Sequence, residues 1–178
     1  IALLKGEGIS SLSYGATWHF FEKQLQYPVT HIDTKNMSIT TLAKYNVLVL
    51  PEGRYRKLLS EDNIKEMKKW IRNGGKVIAI GNAGRNFLDK EGFDLTDNEE
   101  EEEEEEEEGN LTPYDQRERA SVTNFITGSI YKLTIDPSHP LAFGYTDTYF
   151  SLKQGSTSYQ FMKKGYNVGY INGDAESV

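Results

Sequence analysis

The chain has 178 residues, about the length of one domain, and 37% of them are hydrophobic, which is enough to build a buried core. Ten of its 27 acidic residues form one run at 99–108, so the net charge of −7 comes from that run. The rest of the chain has 17 acidic and 20 basic residues, and this near-neutral balance predicts no basic surface for binding nucleic acid. The absence of cysteine excludes disulfides, thiolate metal sites and a cysteine nucleophile. Apolar runs of at most four residues predict no membrane-spanning helix, which needs about 20.

Strand and helix patterns alternate through the first half of the chain. Short apolar runs predict four buried strands, at residues 1–4, 29–33, 47–50 and 77–80. Helical spacing predicts a helix at about 14–25, with Trp18, Phe21 and Leu25 on its buried face, and a second helix at about 60–72. Because short connections join these elements, we predict right-handed crossovers and a mostly parallel sheet. The expected fold is a three-layer α/β fold, flavodoxin-like in plan.

The second half of the chain changes character. Residues 91–118 contain the glutamate run and show no apolar periodicity, so we expect an acidic, solvated loop inserted in a single domain that covers 1–178. Strand patterns follow at 130–135, 149–152 and 167–171, and we expect them to add strands to one edge of the sheet. The tyrosines here are typical of edge-strand packing, with recognition of a sugar or peptide as the alternative: Tyr145, Tyr149, Tyr159, Tyr166 and Tyr170.

Ligands of open parallel sheets bind at the carboxyl ends of the strands, where the strand order reverses. Turns at 6–8, 51–53 and 81–84 are predicted to lie at that edge. Our candidates for a binding crevice there are Glu7, Gly8, Glu52, Gly53, Asn82 and Arg85. Ordinary strand-to-helix turn chemistry is the competing explanation for the glycines. The turn after the fourth strand has the spacing of a nucleophile elbow with Asn82 at its apex, and an Asn amide is no nucleophile.

Several segments resemble a class I glutamine amidotransferase-like domain: 1–8, 18–22, 27–29, 48–53 and 74–81. A closer resemblance also covers 117–119, 138–145 and 167–171. With these segments the chain resembles the C-terminal domain that follows the catalytic domain in bacterial zinc carboxypeptidases of the carboxypeptidase A-like family. This resemblance implies an amidotransferase-like fold, and it implies that the chain is a domain excised from a longer polypeptide that is exported to the periplasm or beyond.

The resemblance also bears on catalysis. The amidotransferase triad is Cys, His and Glu, with His and Glu two residues apart. Asn82 stands at the cysteine position, and Leu141 stands where the glutamate should follow His139. Both the nucleophile and the acidic member are missing, so the resemblance implies a pseudoenzyme without glutamine hydrolysis.

The spacing of His19, Glu22 and His139 looks like the zinc ligand set of the carboxypeptidases. However, His19 and Glu22 are expected on the polar, solvent-facing stripe of the first helix. We therefore predict no catalytic residue, metal or cofactor in this chain. The resemblance places zinc only in the peptidase domain upstream.

These observations give two expectations of function. The first is a non-catalytic accessory domain of a zinc metallocarboxypeptidase, which packs against the upstream peptidase domain or helps to present a peptide substrate. The alternative is a small-molecule-binding module, or a residual hydrolase, that uses the crevice at the strand ends. We expect the full-length parent to be the enzyme, and we expect this part of it to have no catalytic activity of its own.

Overall fold

The computed structural model describes residues 1–56, 58–98, 128–153, 155 and 157–171. It divides into two compact units, Ile1–Leu88 and Asp89–Val178. The single domain over 1–178 stays a prediction. The glutamate run and the rest of the predicted loop up to residue 118 lie outside the described residues.

Four parallel strands form the sheet of the first unit. They are β1 (Ala2–Lys5), β2 (Thr30–Asp33), β3 (Val47–Leu50) and β4 (Lys76–Ala79). Their order is β2-β1-β3-β4. Three successive residues are fully buried in β1 and again in β3, as expected for central strands covered on both faces. The predicted α/β class with a parallel sheet is therefore confirmed.

Two α-helices lie between these strands in the sequence, one after β1 and one after β3. The first, α1 (Ser11–His19), begins at Ser10, whose hydroxyl accepts a hydrogen bond from the Ser13 N–H at 3.3 Å. The second, α2 (Glu61–Arg72), buries Ile64 and Met67, as its apolar spacing predicts. Short 3₁₀ helices at Ile39–Lys44 and Gly81–Phe87 complete the first unit.

The predicted buried face of the first helix is wrong. Thr17 is the buried residue of α1, whereas Trp18 is 43% exposed and Leu25 is 53% exposed. Trp18 precedes any irregularity in the helix, and its ring packs against His31 of β2. Leu25 follows a π-helical turn at Phe20–Gln24, in which the Leu25 N–H donates to the Phe20 carbonyl at 3.0 Å. Because a π turn holds more residues than an α turn, the residues after it leave the face that a 3.6-residue period predicts.

The expected position of the later strands is also wrong. The strands β5 (Ser129–Ile135), β6 (Thr148–Lys153) and β7 (Gly169–Tyr170) form a separate antiparallel sheet, in the order β6-β5-β7. A parallel strand needs a crossover, usually a helix. The described segment between β5 and β6 holds only a three-residue 3₁₀ turn. Within the described residues β4 is consequently an edge strand rather than a buried one, with Ile78 46% exposed.

The second unit has one further pairing. Residues 96–98 lie antiparallel to 158–160, with the Gln160 N–H donating to the Thr96 carbonyl at 3.0 Å. Residues 96–98, which belong to the predicted acidic loop, are thus hydrogen-bonded within the second unit. Among the helices that the structure describes, none has both the length and the apolar character needed to cross a membrane.

The loops that follow β1 and β3 approach each other at backbone level. Ile9 forms an antiparallel bridge with Gly53, and the Arg54 N–H donates to the Gly8 carbonyl at 3.0 Å. A Cβ on Gly53 would lie 2.7 Å from that same carbonyl oxygen, a distance that only a backbone shift could relieve. The sequence therefore needs glycine at position 53 to bring the two loops together.

Gly53→Ala should lower the free energy of unfolding by about 1–3 kcal/mol, because the added methyl group overpacks against backbone. Gly15→Ala is the matched control, since nothing lies within 4 Å of a Cβ in that interior position of α1. The control should instead stabilise the chain by about 0.5–1 kcal/mol. Urea unfolding of the two variants measures both changes, and equal effects of the two substitutions would contradict this account of the loop contact.

Candidate binding crevice

A crevice of about 560 Å³ opens at the carboxyl ends of three adjacent strands. We call it the strand-end crevice, and it is lined chiefly by Glu7 and Gly8 after β1, Thr34 and Lys35 after β2, and Arg54 and Arg56 after β3. The connection from β1 to β2 runs one way across the sheet and that from β2 to β3 runs back past β1. The crevice therefore lies at the point where the strand order reverses.

Positive charge predominates in the strand-end crevice. Lys35, Arg54 and Arg56 face a single carboxylate, that of Glu7. The Lys35 ammonium pairs with the Glu7 carboxylate at 3.5 Å, and both side chains are largely exposed. Within the described part of the chain, neither Arg54 nor Arg56 has a side-chain hydrogen bond or ion pair. Two guanidinium groups are thus available to a ligand.

One wall of the crevice is formed by Tyr55. Its ring is buried, and its hydroxyl donates to the Pro51 carbonyl at 2.5 Å. Burial raises the pKa of Tyr55 far above its ordinary value of 10.0. This phenol therefore stays neutral and serves as a fixed wall rather than as an acid or base.

The sequence-based candidates divide between two roles. Glu7 and Gly8 line the crevice, as predicted. Asn82 does not line it, because its side-chain oxygen accepts the Gly53 N–H at 2.8 Å and so ties the turn after β4 to the turn after β3. The Glu52 N–H donates to the Ser13 hydroxyl at 3.0 Å, and the Glu52 carboxylate lies against Gly81.

Arg85 lies in the 3₁₀ helix after β4 and is not among the residues that line the crevice. Its neighbour Asn86, which the sequence did not single out, makes three bonds instead. The Asn86 side chain accepts the Tyr55 N–H at 2.9 Å and donates to the carbonyls of Gly53 at 3.0 Å and Ala83 at 2.9 Å. These bonds fix the start of the loop that carries Arg54 and Arg56.

The three cations of the crevice were not identified as candidates from the sequence. Lys35 follows β2, a strand whose end was given no candidate, and Arg54 and Arg56 lie just beyond the turn that was considered. Taking the strand-end rule to the first five or six residues after every strand would have included all three.

A second cluster joins α1 to β2. The Tyr14 hydroxyl lies 2.9 Å from His31 Nδ1, and His31 Nε2 lies 3.2 Å from the Glu22 carboxylate. A carboxylate only accepts hydrogen bonds, so Nε2 carries the proton, and with a neutral ring Nδ1 accepts the Tyr14 O–H. The Trp18 ring packs edge-on against the imidazole at 5.2 Å. The sequence offered one clue, the four-residue spacing of Tyr14, Trp18 and Glu22, but nothing that paired them with His31.

Hydrogen bonds from Trp18 and His31 hold the pKa of Glu22 below its ordinary value of 4.5. The Glu22 side chain is thus engaged with His31 and Trp18. The absence of a zinc site at His19, Glu22 and His139 stays a prediction. His139 is itself a turn residue, whose Nδ1 accepts the Leu141 N–H at 3.2 Å. Among the described side chains, no group of three or more His, Asp or Glu is placed to hold a metal ion.

The second unit contains a larger cavity of about 970 Å³, over the face of β5 that carries Tyr131 and Leu133. Of the tyrosines singled out from the sequence, three line it: Tyr159, Tyr166 and Tyr170. Tyr145 and Tyr149 instead pack edge to face against each other, with ring centres 5.3 Å apart. The tyrosines therefore serve two purposes, cavity lining and pairwise packing.

No family model, curated protein or solved structure matches the chain. What the site can do follows from its own chemistry. The strand-end crevice combines a glycine turn, two guanidinium groups and an exposed ammonium, which suits the binding of a negatively charged group.

Glu22 should make the free energy of unfolding depend on pH in the acidic range. Because its pKa is lowered on folding, its carboxylate stabilises the native state above pH 4.5, and this stabilisation is lost as pH falls below that value. Glu22→Gln should remove this part of the pH dependence. Trp18→Phe, which keeps a ring but removes the N–H donor, should remove a share of it. Urea unfolding between about pH 6 and about pH 3 tests this, and equal acid sensitivity in the wild type and Glu22→Gln would contradict it.

Proposed function

We propose that this chain is a non-catalytic accessory domain, amidotransferase-like in plan, that binds a ligand or substrate segment without transforming it. The observation that carries the proposal is the role of Asn82. At the apex of the turn where an amidotransferase has its nucleophile, the side chain is an amide whose oxygen accepts the Gly53 N–H. This position serves to join two loops, which supports a binding rather than a catalytic domain.

The strand order of the first unit supports the amidotransferase-like plan. The order β2-β1-β3-β4 is that of the first four strands in the flavodoxin-like arrangement 2-1-3-4-5. In that arrangement ligands bind between β1 and β3, and both strands contribute loops to the strand-end crevice.

The attachment to a zinc carboxypeptidase rests on the sequence resemblance. In this proposal the upstream peptidase domain holds the zinc and does the chemistry, and the present chain packs against it or presents a peptide substrate to it. Export to the periplasm or beyond belongs to the same proposal.

A second candidate, a small-molecule-binding module, is favoured by the size of the crevice, which falls within the range of small-ligand pockets. A residual hydrolase is less favoured. The hydroxyl groups among the described lining residues belong to Thr34 and Tyr55, and both donate to backbone carbonyls, of Glu7 at 3.4 Å and Pro51 at 2.5 Å. Neither hydroxyl is therefore paired with a general base.

Asn82→Cys should not create glutaminase activity. The substitution supplies a thiol at the nucleophile position, but Leu141 still stands where the triad requires an acid. Asn82→Ala is the matched control, because it also loses the bond to Gly53 and supplies no thiol. Release of ammonia from glutamine should be equal in both variants and in the wild type.

Glutaminase activity in the wild type, or in Asn82→Cys above the level of Asn82→Ala, would contradict the non-catalytic proposal. Carboxypeptidase activity of this chain on its own would contradict it as well.

A further inference from the structure

We propose that the strand-end crevice binds an oxyanion, a carboxylate or phosphate group on a small organic molecule or peptide terminus, through Lys35, Arg54 and Arg56. This inference rests on the proposed binding function and names the ligand chemistry. Three cations line one crevice beside a single carboxylate, and an anion bound among them lowers their mutual repulsion.

The side chains present match the geometry of an oxyanion. Arg54 and Arg56 each offer a planar fork of N–H donors, which bonds two oxygens of one carboxylate or phosphate at once. Among the described residues, no side-chain partner occupies either fork. Lys35 adds a flexible point charge from the opposite loop, after β2.

The backbone that carries these cations is held in place before any ligand arrives. The Arg54 N–H is bonded to the Gly8 carbonyl at 3.0 Å, and the Tyr55 N–H to the Asn86 side chain at 2.9 Å. On the other loop, the Lys35 N–H donates to the Asp33 carboxylate at 2.9 Å. Ligand binding therefore has to order side chains and little backbone, which favours affinity.

Glu7 competes with the ligand for Lys35. Its carboxylate lies 3.5 Å from the Lys35 ammonium, so an incoming oxyanion displaces it from the cation and is also repelled by it. Removing this charge while keeping the side-chain size, as Glu7→Gln does, should strengthen anion binding about threefold. This equals about 0.7 kcal/mol, because a change of about 1.4 kcal/mol alters affinity tenfold.

Isothermal titration calorimetry with three probes tests the proposal: inorganic phosphate, trialanine with a free carboxylate, and trialanine with a carboxamide terminus. At least one of the two anionic probes should bind. The double variant Arg54→Gln/Arg56→Gln should weaken that binding about tenfold or more. Lys65→Gln/Arg72→Gln removes the same charge from exposed positions on α2 and should change it less than about twofold.

The probes separate the sources of the oxyanion. Binding of free trialanine but not of its amide assigns a terminal carboxylate, and binding of phosphate alone assigns a phosphoryl group. If the Arg54→Gln/Arg56→Gln variant fails to fold, the gain expected for Glu7→Gln carries the test.

The inference is overturned if neither anionic probe binds at about 10 mM, or if the crevice and control double variants weaken binding equally. Binding of the carboxamide peptide alone would overturn the oxyanion inference and leave a binding function in place. The non-catalytic proposal itself fails only in the activity assays, so the two failures are distinguishable.

Discussion

The close backbone approach between Gly8 and Gly53 is the constraint on which the strand-end surface of the first unit depends. It brings the loops after β1 and β3 within one hydrogen bond of each other. The side chains of Asn82 and Asn86 then bond to Gly53 from the turn after β4. Loops from three strands are thereby joined into one rigid support, and the side chains beyond it, those of Arg54 and Arg56, are carried in defined places.

The strand ends of the first unit fall into two parts, one held by hydrogen bonds within the fold and one that forms the open crevice. In the part around Asn82, the side chains of Asn82 and Asn86 are engaged in hydrogen bonds within the fold. The part between β1, β2 and β3 keeps its cations exposed and its volume open. In the proposed function, the turn after β4 has a structural role and the loops after β1, β2 and β3 bind the ligand.

The sequence predicted the parallel sheet because its signal is local: four apolar runs separated by helical spacing. It predicted Glu7 and Gly8 as crevice residues because strand ends meet at one edge. It failed where the outcome depends on contacts between distant segments. The π turn at Phe20–Gln24 moved Leu25 off the expected helix face, and the pairing of Tyr14 with His31 needs β2 beside α1. Arg54 and Arg56 are ordinary surface residues until the loops place them together.

The most direct test of the proposed binding site is an amide NMR titration of the isotope-labelled chain with whichever of inorganic phosphate and trialanine binds. We predict that the largest shifts fall on the backbone amides of Gly8, Lys35, Arg54 and Arg56, which border the strand-end crevice. The amides of Asn82 and Gly84, at the turn that resembles a nucleophile elbow, should move much less. Largest shifts at that turn, or confined to the second unit, would contradict the division of the strand ends into a structural and a binding part.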